Sequence, residues 1–144
     1  MIKPITGDDL HTVTQLALKL WPDNDYDILF NEFKEMIENK NSLVVLFFKD
    51  QRAVAFAHCE LRHDYVEGTA SSPVGYLEAI YVEKDCRLQG IASALVRYCE
   101  DWARSKNCTE FASDCELNNL DSLRFHLKYG FSEANRIICF TKKL

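Results

Sequence analysis

Apolar residues recur along this chain with two different periods, and the switches between them mark out its elements. After a short extended start at Ile2 to Pro4, Thr6-Gly7-Asp8-Asp9 sets a capping hydroxyl three residues before a carboxylate. Leu10, Val13, Ala17 and Leu20 then come at helical spacing, and Trp21-Pro22 ends that helix. Asp25 is placed to cap a second helix whose apolar face is Leu29, Phe33, Met36 and Ile37, closed by Asn39 to Asn41. There the period changes. Leu43 to Phe48 is aliphatic and aromatic, Asp50-Gln51 is a turn, and Ala53 to Leu61 predicts the return strand of an antiparallel hairpin.

The polar stretch His63 to Ser72 connects to another strand, Gly75 to Val82. Ile91, Leu95, Cys99 and Trp102 restore the 3.6-residue spacing and predict a helix over Ile91 to Ala103. Phe111 to Ser113 reads as a short buried strand, Leu120 to Lys128 as a helix stopped by Gly130, and Phe131 to Thr141 as extended chain forming one or two strands. The order is mixed α/β, with antiparallel hairpins flanking a strand-helix-strand core. No repeat, low-complexity run or Pro/Gly-rich linker interrupts it, so residues 1–144 are expected to form a single domain.

Composition narrows what such a domain can bind. An apolar content of 47% is enough for one sizeable core, and a net charge of −5 argues against a nucleic-acid partner, whose phosphates need a basic stripe. A cationic small molecule suits the balance better. Met1 to Leu10 lacks the apolar segment of a secretion signal, and no stretch is long enough to span a membrane, so cytoplasmic residence without membrane attachment is the expectation. Six cysteines without a Cys-x-x-Cys pair suggest reduced thiols and no zinc site. His58, Cys59, Glu60 and His63 resemble a metal set only in sequence, because strand alternation turns Cys59 away from His58 and Glu60.

The segment richest in chemistry is Tyr76 to Val82, joined through a polar loop to Arg87-Leu88-Gln89-Gly90-Ile91-Ala92 and a helix. A strand feeding a loop that opens a helix aims unpaired backbone N–H groups at an anion such as a pyrophosphate. Gly90 lets the backbone approach closely, Ala92 keeps the helix start uncrowded, and Arg87 adds positive charge. Neither a Gly-Lys-Ser/Thr sequence nor the three-glycine dinucleotide spacing is present.

That strand, Arg-x-x-Gly-x-Ala loop and helix resemble the acetyl-CoA site of the GNAT acetyltransferases, and Asn119, Ser122, His126 and Gly130-Phe131 resemble its downstream part. The resemblance implies a GNAT acyltransferase fold, a central mixed β-sheet flanked by helices. Leu20-Trp21-Pro22, Arg62-His63-Asp64-Tyr65-Val66, Ser72-Pro73-Val74, Leu77-Glu78 and Ala112-Ser113-Asp114 sharpen it to the aminoglycoside 6′-N-acetyltransferases. This second resemblance implies transfer of an acetyl group from acetyl-CoA to an aminoglycoside 6′-amine, an activity that confers antibiotic resistance, with no metal.

On that reading, acetyl-CoA lies along Ile80, Tyr81 and Val82, on the loop Arg87 to Ala92 (Leu88, Gln89, Gly90 and Ile91 between them), and near Asn119. Trp21, Tyr65, Glu78, Asp114 and Asn135 line the substrate pocket, Asn135 standing where related enzymes carry Glu. A polycation calls for carboxylates, and its ammonium must lose a proton before attack, so Glu78 and Asp114 are the candidate bases. A backbone N–H around Ile80 to Val82, freed by a bulge, would stabilise the oxyanion. His126 takes the position at which the superfamily usually has Tyr and is the candidate acid for the leaving thiolate. Cys86 and Cys115 have no base set against them, which favours direct attack in a ternary complex. Ile137-Ile138-Cys139-Phe140 supplies an apolar strand through which members of this subgroup pair, implying a homodimer. The residues leave open another primary amine as acceptor, a polyamine or a protein amino group, and a non-catalytic acyl-CoA-binding module.

Overall fold

The computed structural model describes residues 1–144. Its strands β1 (Ile2–Pro4), β2 (Ser42–Lys49), β3 (Arg52–Arg62), β4 (Val74–Val82) and β5 (Phe111–Ser113) lie side by side in sequence order. The first four pair antiparallel, and β5 joins β4 in parallel, giving the mixed sheet expected. Antiparallel neighbours need only tight turns, and Asp50 and Gln51, at φ 49° and 65°, make the one between β2 and β3. The parallel pair needs a crossover, which α3 (Ile91–Ser105) supplies.

Helices α1 (Leu10–Leu20) and α2 (Tyr26–Glu38) cover one face of the sheet, where Val13, Leu16 and Phe33 pack on Val44, Leu46 and Phe56. The opposite face is covered by α3, whose Ile91, Leu95 and Cys99 meet Val45, Ala57 and Leu77. Phe125 of α4 (Leu120–Lys128) and Phe131 extend that second layer. Full burial of side chains such as Phe56 and Leu95 contributes about 1.5–3 kcal/mol each.

The helix starts obey local chemistry. Asp25 accepts from the Ile28 N–H at 3.0 Å, as its position before the apolar face implies. Before α1 the chain first makes a 3-10 turn at Gly7–Asp9, and the buried Asp9 carboxylate accepts from Thr6 N, Thr6 Oγ1 and Lys3 Nζ, each at 2.9 Å. Gly75 is pressed between α3 and β5, where a Cβ would come within 2.6 Å of Ala103 Cβ and 2.7 Å of Phe111 Cδ2.

The C-terminal segment departs from expectation. Phe131 to Thr141 forms no strand, and Ile137, Ile138 and Phe140 are exposed. An apolar run becomes a strand only when another strand satisfies its ladder, and this chain supplies none beside it.

Candidate active site

The site begins with one extra residue in β4. Cys59 stands opposite Leu77 and His58 opposite Ala79, so Glu78 has no partner in β3. This bulge shifts the phase of the strand: Val74 and Tyr76 share a cluster with Val66, whereas Ala79 and Tyr81 join the layer under α1 and α2. On the other side, pairing with β5 covers only Gly75 to Leu77, ending at Leu77 and Ser113, the apex of a wedge between the two strands. From Glu78 onward β4 has β3 on one side and an open edge on the other.

The bulge therefore lies before Ile80 to Val82, which stay paired with Ala57, Phe56 and Ala55; the expectation of a bulge there is corrected. What opens β4 is the early end of β5. An open strand edge suits a ligand arm carrying its own amide groups.

Beyond Val82 the chain passes through Lys84–Cys86, a 3-10 turn, into the loop that opens α3. Leu88 and Gly90 adopt φ 61° and 79°, and a Cβ on Gly90 would meet nothing within 4 Å, so that side of the backbone is bare. The first intrahelical bond runs from Ala94 N to Gly90 O, leaving the preceding N–H groups for an anion. Arg87 donates from Nε to Val82 O at 3.0 Å, and Gln89 is held between Lys49 Nζ and Asp85 O. Leu88 is exposed, and Ile91 is buried beneath the loop beside the half-buried Ala92. Open edge and helix start are the two halves of an acetyl-CoA-type site, and these residues fit one. Asn119 is engaged in capping α4, accepting from Ser122 N at 3.1 Å.

A cavity of about 710 Å³ lies beside β5 and α4, within the range of small-molecule sites. Six carboxylates line it: Glu67, Glu100, Glu110, Asp114, Glu116 and Glu133. Its two guanidiniums are already engaged, Arg62 with Glu78 and Arg136 with Glu133. The net field favours a cation.

Tyr65, Asp114, His126 and Asn135 all border this cavity. Glu67 ties its rim together, accepting from Tyr65 OH at 3.2 Å and from Asn135 Nδ2 at 2.8 Å. Glu78 and Trp21 are not among the lining residues. Glu78 reaches it through Arg62, which donates from Nε at 3.0 Å and from Nη2 at 2.8 Å to Oε1. Trp21 instead caps α1 and packs edge-on to Phe56, with ring centroids 6.3 Å apart.

The two carboxylates proposed as bases have neighbours that sequence reasoning missed. Tyr76 OH donates to Asp114, and burial together with that bond pushes the Tyr76 phenol well above its usual range. Burial works against the charge of Arg62, yet the hydrogen bonds and charge of Glu78 outweigh it and raise its pKa. Arg62 also lies over the Tyr76 ring, 3.4 Å from its centroid, so Arg62, Tyr76, Glu78 and Asp114 form one linked set.

These features agree with known proteins. The acetyltransferase (GNAT) family pattern matches residues 10–131. The chain belongs to the GNAT family. Its curated relatives include aminoglycoside N(6′)-acetyltransferases type 1 from Acinetobacter haemolyticus, 39% identical over 99% of this chain and 98% of that protein, and from Serratia marcescens, 37% identical over 100% and 99%. Among solved structures, AAC(6′)-Iy in complex with the bisubstrate analog CoA-S-monomethyl-acetylneamine superposes with a TM-score of 0.96 at 32% identity, covering 100% of this chain and 98% of that one. The apo AAC(6′)-IG of Acinetobacter haemolyticus also gives 0.96, at 38% identity and coverage of 100% and 99%. The mixed sheet, its bulge at Glu78 and the wedge at Ser113 are thus the frame of a GNAT protein.

In that frame His126 is fixed from all sides. Its Nδ1 lies 2.6 Å from Ser122 O and its Nε2 2.8 Å from Ser113 Oγ. Phe125 and Phe131 stand edge-on to the ring, each with centroids 5.2 Å away. No group of His, Cys, Asp and Glu side chains is gathered as a metal site.

Proposed function

We propose that this GNAT protein transfers the acetyl group of acetyl-CoA to the 6′-amine of aminoglycosides, by direct attack in a ternary complex. The observation that carries this reading is the junction at Ser113. There the open edge of β4 meets a cavity lined by six carboxylates, so an anionic donor and a polycationic acceptor converge. Relatives named for this reaction cover the full length of the chain and support the choice of the 6′ position.

Bound along β4, acetyl-CoA supplies a thioester whose acetyl carbon takes the amine and whose thiolate departs. The helix start at Gly90 to Ala92 would hold its phosphates, with Arg87 and Leu88 at the loop, while Ile80 to Val82 pair with its arm. Glu78 and Asp114 bind ammonium groups and accept the proton that the attacking amine must lose, directly or through water. A backbone N–H on the open edge of β4 receives the negative charge growing on the carbonyl oxygen. His126 provides the proton for the departing sulfur.

Trp21, Tyr65 and Asn135 are assigned to the aminoglycoside, Asn135 through the uncharged amide that it brings to Glu67. We further assign a homodimer, because Ile137, Ile138 and Phe140 leave apolar surface uncovered in one protomer, and cytoplasmic residence, which suits six thiols without a disulfide.

Replacing both carboxylates, Glu78→Gln with Asp114→Asn, tests the reading. Aminoglycoside-dependent CoA release is expected to fall at least about 100-fold while acetyl-CoA affinity persists. Full turnover in the double variant would overturn the site assignment.

A further inference from the structure

We propose that Ser113 is a proton relay between His126 and the departing sulfur, a role that rests on His126 being the acid for that step. The reason lies in the count of hydrogens. A carbonyl oxygen only accepts, so the 2.6 Å contact with Ser122 O fixes a proton on His126 Nδ1. Ser113 Oγ has one hydrogen and two neighbours: Leu77 O, to which it donates at 3.0 Å, and His126 Nε2, 2.8 Å away. All three contacts are satisfied together only when the imidazole is doubly protonated, with Nε2–H donating to Ser113 Oγ and Oγ–H donating to Leu77 O. When Nε2 is bare, the serine hydrogen turns to it and leaves Leu77 O.

Place strengthens the count. Ser113 pairs with Leu77 in the last register position before β4 and β5 part, so its hydroxyl sits at the apex of the wedge. His126 lies one hydrogen bond from that hydroxyl, with Phe125 and Phe131 edge-on to its ring, and meets the apex at Ser113. The serine is thus the donor at the apex, and the histidine, which borders the same cavity, is its reservoir.

The proton balance closes. The ammonium gives one proton to the carboxylate base, which hands it to solvent, before the neutral amine forms the C–N bond; the same base takes the second nitrogen proton as the C–S bond breaks with its electron pair on sulfur. Ser113 Oγ–H turns from Leu77 O to that sulfur, passes its proton there and takes the Nε2 proton of His126. The imidazole keeps its Nδ1–H on Ser122 O and regains a proton from solvent, to which the base releases both of those it took, leaving one proton in excess, that of the ammonium.

Five full-length proteins test this: wild type, Ser113→Ala, His126→Gln, the double variant, and Ser113→Thr as the conservative replacement. The readouts are kcat at saturating substrates, CoA affinity by calorimetry, and the 15N signals of the His126 ring. Ser113→Ala is expected to lower kcat about 10- to 100-fold with CoA affinity unchanged and the Nε2 signal shifted, and Ser113→Thr to recover most of the loss. The double variant is expected to be no slower than His126→Gln, because both residues lie on one path.

Losses that multiply in the double variant, or a Ser113→Ala protein that loses CoA affinity, keeps full kcat or leaves the Nε2 signal unmoved, would overturn the relay. So would Ser113→Thr as slow as Ser113→Ala. Full kcat in His126→Gln would instead overturn the acid assignment beneath it.

Discussion

Arg62 grips both carboxylate oxygens of Glu78 with one edge of its guanidinium, Nε and Nη2 to Oε1 at 3.0 and 2.8 Å and Nη2 to Oε2 at 3.0 Å. The carboxylate proposed to meet a substrate ammonium is therefore already oriented by a cation of the protein's own. A planar fork does this in a way that a point charge does not. Arg62→Gln is expected to lower kcat/KM about 10- to 100-fold by releasing Glu78 from its geometry, with Arg62→Lys in between and CoA affinity unaltered. Steady-state kinetics with unchanged values in Arg62→Gln would show that Glu78 is positioned without it.

The fold has its own titrating contact. Burial raises the pKa of Asp9, but the bonds from Lys3 and Thr6 outweigh it, and the net shift is downward. A depressed carboxylate binds fewer protons folded than unfolded, so its stabilisation is present above the unfolded pKa and disappears as pH falls through the folded one. Asp9→Asn is expected to cost about 1 kcal/mol at neutral pH, with the deficit shrinking as pH falls below the ordinary carboxylate range. Urea unfolding at several pH values measures this, and a deficit that is constant across pH would rule out the carboxylate contacts as its source.

Gly75 tests the close packing of β4, α3 and β5. A methyl group there meets Ala103 and Phe111 at 2.6 and 2.7 Å, so Gly75→Ala is expected to destabilise by about 1–3 kcal/mol. The melting temperature should fall by several degrees, and an unchanged value would mean that the layers yield without cost.

The tail bears on assembly. Ile138→Asp with Phe140→Asp should convert a dimer to a monomer in sedimentation, because apolar surface left open in one protomer would be covered by another. A wild-type protein that sediments as a monomer at micromolar concentration would contradict this.

These contacts differ in how far the sequence announces them. Helix α4 runs from Leu120 to Lys128 as its pattern predicts, because Asn119 caps it and Gly130, at φ 90°, ends its turn, both local effects. The anion-binding start of α3 is local too, and Gly90 marks it. By contrast, Arg62 and Glu78 lie 16 residues apart across a loop, and a single bulged residue decides which side chains share a face. Nothing in the period of Val74 to Val82 places that residue at Glu78. The edge-on packing of Trp21 against Phe56, on a strand remote in sequence, is likewise set by the fold and not by a local pattern. The tail reads as strand from Ile137 to Phe140 because an apolar run is local, whereas the partner that makes a strand is not. Ser113 was visible only as part of a motif; its hydroxyl acquires meaning from His126, brought to it by the fold.

The most direct test of the proposed activity is CoA release from acetyl-CoA by the purified wild-type protein, comparing an aminoglycoside that bears a 6′-amine with one that bears a 6′-hydroxyl. Turnover with the amine alone is the predicted result. Equal turnover with both would move the acetylated nitrogen elsewhere on the substrate, and no turnover with either would contradict the aminoglycoside assignment.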